Sequence, residues 1–219
     1  MDTLSGVGVL DKSMLVVQAL AAADESLSLG ELQEVTGLPR ATAHRLASAL
    51  EVHGMVRRDA NGRYALGFAY GALSAAAQRQ FPLAALARPV LEDLVRTCGE
   101  SVQLYIRDGA DRRCVVSLQS PHGLRWIIPE GSLYPLGRGS AGHVLAGESV
   151  SRGGWIESVE EREAGVASVS APVKGPNGKV IAAVSISGPI ERLGRQPGRV
   201  HAAAVVATAA RLTEHLAKS

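Results

Sequence analysis

Four donor-bearing side chains, Arg40, Thr42, His44 and Arg45, fall within two helical turns of the stretch "LPRATAHRLASALEVHG" (38–54). Arginine can fork onto guanine O6 and N7, and threonine can bond a phosphate or touch a thymine methyl. At helical spacing Ala43, Leu46, Ala47 and Leu50 make one apolar stripe. That leaves Arg40, Ala41, Thr42, His44, Arg45 and Ser48 on or near the open side, where the small Ala41 permits close approach. A solvated helix face is the plain alternative, and the flanking elements must decide. Three more arginines follow, Arg57, Arg58 and Arg63, so that residues 40–63 set five arginines against Glu51 and Asp59. The net charge of the chain is only +2. A local patch is nevertheless enough to hold a polyanion.

A second set of polar side chains sits late in the chain. Ser168/Ser170 and Ser185/Ser187 are spaced i, i+2, which puts each pair on one face of a strand. Such hydroxyls suit either a small polar ligand or a solvent-facing sheet. "GRGSAGH" (137–143) is glycine-rich without dinucleotide-loop spacing, though its amides can line a pocket wall. The chain contains no GxSxG, HExxH or phosphate-loop motif, so no enzyme and no cofactor is expected. His122 and His143 have no nucleophile or acid beside them in sequence, and His44 and His53 lack metal-ligand neighbours. Cys98 and Cys114 are the only thiols, and Cys98 falls at a helix end, where the dipole disfavours a thiolate. They are the sole basis for a competing thiol-redox reading. "VEERE" (159–163) reads as a solvated charged loop, and Trp126 and Trp155 read as core residues.

The elements around the first set form a pattern. Asp11 is placed to cap a helix from Lys12 to about Ala23. "SLGE" (28–31) has the form of a capping box, and Gly37 suits the end of the short helix it starts. Pro39 fits the first turn of the next helix, which should run to His53 and stop at Gly54. Asn61-Gly62 signals a type I′ hairpin, making residues 55–66 two short strands. Three helices and a hairpin in that order spell a winged helix-turn-helix. A connecting helix is expected over 67–80, broken at Phe81-Pro82, and another over 83–97 with Pro89 inside. Strands follow at 101–107, 112–119 and 124–129, then a loop over 131–142. Two longer strands at 166–174 and 179–187 flank the turn "GPNG", and a helix spans 198–218. The fold class is α+β, a helix-flanked antiparallel sheet behind a winged helix-turn-helix.

With 219 residues and 46% hydrophobic content the chain can bury more than one core. No apolar run suggests a membrane span, "MDTLSGVGVL" is a poor signal peptide, and two distant cysteines suit a reducing compartment. A cytoplasmic protein is expected.

"GVGVLDK" (6–12), "TGLPRATAHRLASALEVHGMVRRD" (36–59) and "GRYALG" (62–67) resemble the winged helix of the IclR family of bacterial transcription regulators. "GESVQLYIRDG" (99–109), "GVASVSAPVKGPNGKVIAAVSISGPIERL" (165–193) and "PGRVHAAAV" resemble its effector domain. The likeness covers nearly the whole chain and is strongest to the actinobacterial NdgR/LtbR branch, linked to leucine and other amino-acid biosynthesis genes. It implies a DNA-binding domain over 1–66, a linker helix over 67–82 and a GAF-like effector domain over 83–219. It further implies a homodimer or homotetramer on a palindromic DNA operator, answering to a small effector such as a carboxylate or amino acid. Control of aromatic or short-acid catabolism is the alternative within the family. By resemblance the effector pocket involves Gly139, Ser140, Ala141, Ser168, Ser185 and Ser187. Trp126 joins them, because "GLRWIIP" stands where the branch has "GLRDTVP" and narrows that pocket. The family's helices between "LAG" and the "RGW"-like strand are reduced here to "ESVS".

Overall fold

The computed structural model describes residues 5–80 and 82–217, and the chain divides into two compact units, 1–80 and 81–219.

The first unit is built on α1 (Gly8–Ala22), α2 (Leu29–Thr36), α3 (Arg40–Val52) and a hairpin of β1 (Val56–Arg58) and β2 (Tyr64–Leu66), followed by α4 (Ala69–Gln80). The capping box forms as expected. Ser28 Oγ accepts from the Glu31 amide, the Glu31 carboxylate accepts from the Ser28 amide at 2.7 Å, and Gly37 closes α2 in the left-handed region. Val16, Leu20, Leu32, Leu38, Leu46, Val56 and Tyr64 make one small core, with Leu50 only partly buried against it. Leu27 exchanges two backbone hydrogen bonds with Tyr64, which adds a third strand-like segment to the hairpin.

Several local expectations are corrected. α1 starts before Lys12 with Val7 as its N-cap, and Asp11 lies in the first turn, accepting from the Ser5 amide at 2.9 Å. Pro39 is the N-cap residue rather than the first helical one; its extended ψ of 140° lets the chain turn out of Leu38. The wing is not a two-residue type I′ loop. The Gly62 amide donates to the Asp59 carbonyl and only Gly62 takes a positive φ, while Asp59 Oδ1 accepts from the Asn61 and Arg63 amides. The Asp59 carboxylate organises a longer loop than Asn61-Gly62 implied.

In the second unit a six-stranded antiparallel sheet has the order β5-β4-β3-β8-β7-β6: β3 (Ser101–Asp108), β4 (Asp111–Leu118), β5 (Leu133–Pro135), β6 (Ile156–Val159), β7 (Val166–Lys174) and β8 (Val180–Pro189). Its helices are α5 (Leu83–Cys98), α6 (Ser140–Ala146), α7 (Ile190–Leu193) and α8 (Pro197–Ala217). Leu104, Val116, Val169, Val184 and Ile186 on one sheet face pack with Leu91 of α5 and Val205 and Leu212 of α8. On the other face Tyr105, Cys114 and Ala183 pack with Ala141, Val144 and Leu145 of α6.

Here too the outcome departs from expectation. Residues 124–129 form no strand; the edge is β5, paired with β4 through Arg112–Tyr134. The predicted loop over 131–142 contains β5 and the first turn of α6. β6 was not foreseen, since four residues between two glycine-bearing turns show too little alternation to read. Phe81 of the expected helix break lies outside the described residues, and Pro82 is the N-cap of α5. No described helix is long and apolar enough to cross a membrane.

Gly67 offers a test of the first unit. A Cβ there would lie 2.0 Å from the Gly54 carbonyl oxygen, and Gly67 donates its amide to Met55 at 2.9 Å. Gly67→Ala is expected to cost about 3 kcal/mol of stability, read as a lowered denaturation midpoint of this unit by circular dichroism. An unchanged midpoint contradicts the close approach.

Candidate functional site

The exposed face of α3 carries Arg40, Ala41, His44 and Arg45, with Thr42 and Ser48 half-buried beside them. Ala43, Leu46 and Ala47 hold the opposite face in the core. Among the described residues no hydrogen bond or ion pair engages the side chains of Arg40, His44 or Arg45. Their donors therefore stay available to an outside partner. The arginines of the wing differ from one another. Arg57 is exposed, its guanidinium 5.7 Å from the centroid of the Phe68 ring. Arg58 lies over Tyr64 and reaches back to Glu51 at 3.2 Å and Ser48 at 3.3 Å. Arg63 donates twice to the Ser26 carbonyl, at 2.9 and 2.7 Å, and pairs with Glu31 at 2.8 Å. It staples the wing to the start of α2, a use of its donors that its position in the sequence did not suggest.

All seven residues expected at the effector pocket line one cavity between α6 and the sheet: Trp126, Gly139, Ser140, Ala141, Ser168, Ser185 and Ser187. The strand register makes this possible, because Ser168 stands opposite Ser187 and Ser170 opposite Ser185. The serine face is not solvated. Ser170 is fully buried and Ser185 and Ser187 nearly so. Ser140 Oγ lies 2.7 Å from both Ser168 Oγ and Ser170 Oγ, and Ser187 donates to Gln103 Oε1 at 2.7 Å. Gly139 and its two successors are not loop residues: Gly139 is the N-cap of α6, at φ 72°, and Ser140 and Ala141 form its first turn.

Further lining residues escaped the sequence reading, among them Tyr105, Arg112, Ser158, Arg162 and Glu163. The "VEERE" segment is a loop over 160–163 with Glu160, Glu161 and Glu163 exposed, as expected, but it also borders the cavity. Arg162 lies over the rings of Trp126 and Tyr134, at 4.9 and 4.4 Å from their centroids. Glu161 accepts from the Gly139 amide at 2.8 Å and from His143. Trp126 thus belongs to the pocket wall, while Trp155 packs over Gly198 against the main core. About 30 Å³ of the cavity is open to a water molecule, inside an envelope of about 360 Å³ that includes solvent at its mouth. The inner space accommodates roughly two waters.

Two family models match the chain. The IclR helix-turn-helix domain covers residues 9–60 and the bacterial transcriptional regulator IclR C-terminal domain covers 148–214, together more than half of the chain. The chain belongs to the IclR family of transcriptional regulators. It is 33% identical to the HTH-type transcriptional regulator KipR of Bacillus subtilis over 135 residues, which span 59% of this chain and about half of that relative, 54%. It is 27% identical to the glycerol operon regulatory protein of Streptomyces griseus, over 84% of this chain and 85% of that one. The fold matches the crystal structure of an IclR homologue from Microbacterium hydrocarbonoxydans complexed with 4-hydroxybenzoate. The TM-score is 0.81 at 17% identity, covering 96% of this chain and 100% of that one.

The thiols of this IclR-family chain are poor nucleophiles. Burial raises the pKa of Cys98, and burial pushes that of Cys114 up to about 12. Both are free. No group of three His, Cys, Asp or Glu side chains among the described residues is arranged to hold a metal.

His143 links α6 to the pocket rim. Its Nδ1 meets Glu148 at 2.6 Å and its Nε2 meets Glu161 at 2.7 Å, so both ring nitrogens must carry protons to satisfy both carboxylates. Burial opposes the charge, but the bonds to Glu148 and Glu161 outweigh it and the net shift is upward from 6.5. A raised folded-state pKa gives stability that is complete below the unfolded value and disappears as pH rises through the folded one. Wild-type protein should therefore lose thermal stability relative to His143→Gln as pH rises from about 6 to about 9. Parallel curves for the two proteins over that range would contradict the doubly bonded imidazolium.

Proposed function

We propose that this protein is a DNA-binding regulator that docks α3 in the major groove of a palindromic operator and changes its affinity when a small metabolite fills the serine-lined pocket. The observation that carries the reading is the set Arg40, His44 and Arg45, exposed and unpaired on a helix whose other face is fixed in a core. Arginines on such a face usually find carboxylates, and here Glu51 and Glu31 are engaged by Arg58 and Arg63 instead. Thr42, Ala41 and Ser48 complete the face, and Arg57 suits a phosphate beside it. Arg58 and Arg63 enter chiefly by holding the wing.

The domain division that fits this reading is a winged helix-turn-helix over 1–66, a linker helix over 67–82 and a GAF-like effector domain over 83–219. A homodimer or homotetramer, working in the cytoplasm, follows from the need to present two recognition helices to related half-sites. Val9, Leu10 and Met14 on α1 and Leu73 on α4 are exposed apolar side chains that suit self-association. For the effector we take a small carboxylate or amino acid. Control of leucine-type biosynthesis genes rests on the likeness to the NdgR/LtbR branch. Control of aromatic or short-acid catabolism is the second reading, favoured by the 4-hydroxybenzoate bound to the Microbacterium homologue.

Footprinting on genomic DNA, followed by binding titrations on the site found, tests the reading. Arg45→Ala is expected to weaken operator binding by about 1–3 kcal/mol and to relax base preference at one position in each half-site. Arg63→Ala should instead lower the melting temperature of the first unit, since its donors face Ser26 and Glu31. Operator binding by Arg45→Ala equal to wild type would sink the assignment of the reading face.

A further inference from the structure

The seam between α3 and the wing holds an arginine in a grip that is easily broken. β1 pairs Val56 with Leu66 and Arg58 with Tyr64, so Arg58 shares the inward face of the hairpin with the buried Val56, while Arg57 points outward. The Arg58 guanidinium lies 4.9 Å from the centroid of the Tyr64 ring. Its Nε reaches Glu51 at 3.2 Å and its Nη2 reaches Ser48 at 3.3 Å. Both are longer than a tight charge-assisted bond of about 2.7–2.9 Å. The side chains of Arg58 and Glu51 are each 37% exposed, and an ion pair so open to water adds little to stability. Arg63 is held differently, by three shorter bonds to the Ser26 carbonyl and Glu31.

Glu51 stands at a costly place. It lies in the last turn of α3, which has no basic residue of its own, and the C-terminal end of a helix disfavours an anion. Ser48 and Glu51 follow His44 by four and seven residues, so they continue the face that His44 begins. When α3 enters a major groove, a carboxylate on that face approaches the phosphate ridge and is repelled. The ridge passes between the groove that takes α3 and the wing, which is where the donors of Arg58 lie. Resting on the reading of α3 as the DNA-reading helix, we infer that Glu51 is a brake on DNA binding: it holds Arg58 in the free protein, and a phosphate takes that arginine from it when α3 seats. The phosphate wins because it accepts a guanidinium in a fork and releases a counterion in doing so. The exchange strips Glu51 of its partner, which lowers the net gain. A phosphate contact carries no sequence information, so the brake acts on all sequences alike. Arg58 thus holds the wing in the free protein and a phosphate in the complex, whereas Arg63 keeps its staple in both.

The test uses the full-length protein and a labelled DNA duplex of mixed sequence, followed by fluorescence anisotropy from about 50 to about 200 mM salt. Glu51→Gln is expected to bind about threefold to tenfold more tightly than wild type, with the same dependence on salt, because the phosphate contact is made in both. Arg58→Gln is expected to bind roughly tenfold more weakly, and its slope of log affinity against log salt should fall by about one. An arginine that only holds the wing would leave that slope unchanged. Glu51→Gln binding no more tightly than wild type overturns the inference, and so does a wild-type slope in Arg58→Gln. Should Arg58→Gln unfold the first unit, Glu51→Gln decides alone, since it changes one exposed group and leaves Arg58 over Tyr64. Failure of wild-type protein to bind the duplex at low salt overturns the DNA-binding reading as well. Wild-type binding that Glu51→Gln does not improve overturns this inference alone.

Discussion

The pairing of β7 with β8 decides what each face of the large sheet becomes. Val169, Ala171, Ala182, Val184 and Ile186 point to α5 and α8, and the intervening Ser168, Ser170, Ser185 and Ser187 point to α6. A register slip of one residue would drive hydroxyls into the main core and aliphatic side chains into the pocket. Every such exchange is unfavourable in both directions, so the register is firmly set. The pocket is thus not carved out of the core. It is the reverse side of the same alternation that builds the core, covered by α6 and bordered by Arg162 and Glu163.

Because the serine face is buried, its hydroxyls must satisfy one another or a guest. Ser140, Ser158 and Ser168 do so as a chain, and Ser187 turns to Gln103. The chain leaves the Nε2 of Gln103 and the Nε of Arg112 buried without partners. Most buried polar groups in folded proteins are satisfied, and these two exceptions line or adjoin one cavity. The first unit distributes its charge differently. Ser26, Glu31, Asp59 and Arg63 consume one another in holding the wing to α2, and this local closure leaves the cations of α3 free.

Much of the local structure was legible in the chain. The Ser28–Glu31 box, Gly37 and the apolar stripe of α3 are short-range signals, and each arises from groups within a few residues of one another. The serine spacing was legible for the same reason, since period-two alternation needs no partner strand to be seen. What failed were features set by distant groups. β5 exists because β4 is there to pair with it, and the 124–129 segment, though rich in β-formers, finds no open edge. The acids of "VEERE" look solvated until α6 brings Gly139 and His143 to Glu161.

The sequence by itself determined the α+β composition, the helix-turn-helix and the serine alternation, because those depend on local periodicity and capping, while its resemblance to known regulators supplied the family and the expected pocket residues. Only the tertiary structure decided which arginines are free. Arg45, Arg57, Arg58, Arg63, Arg112 and Arg162 look alike in the chain, yet Arg63 is a staple, Arg162 stacks on two rings and Arg112 is buried with its Nε unpartnered. A guanidinium's role is fixed by which acceptors come within about 3 Å of its donors, and those acceptors lie tens of residues away in sequence.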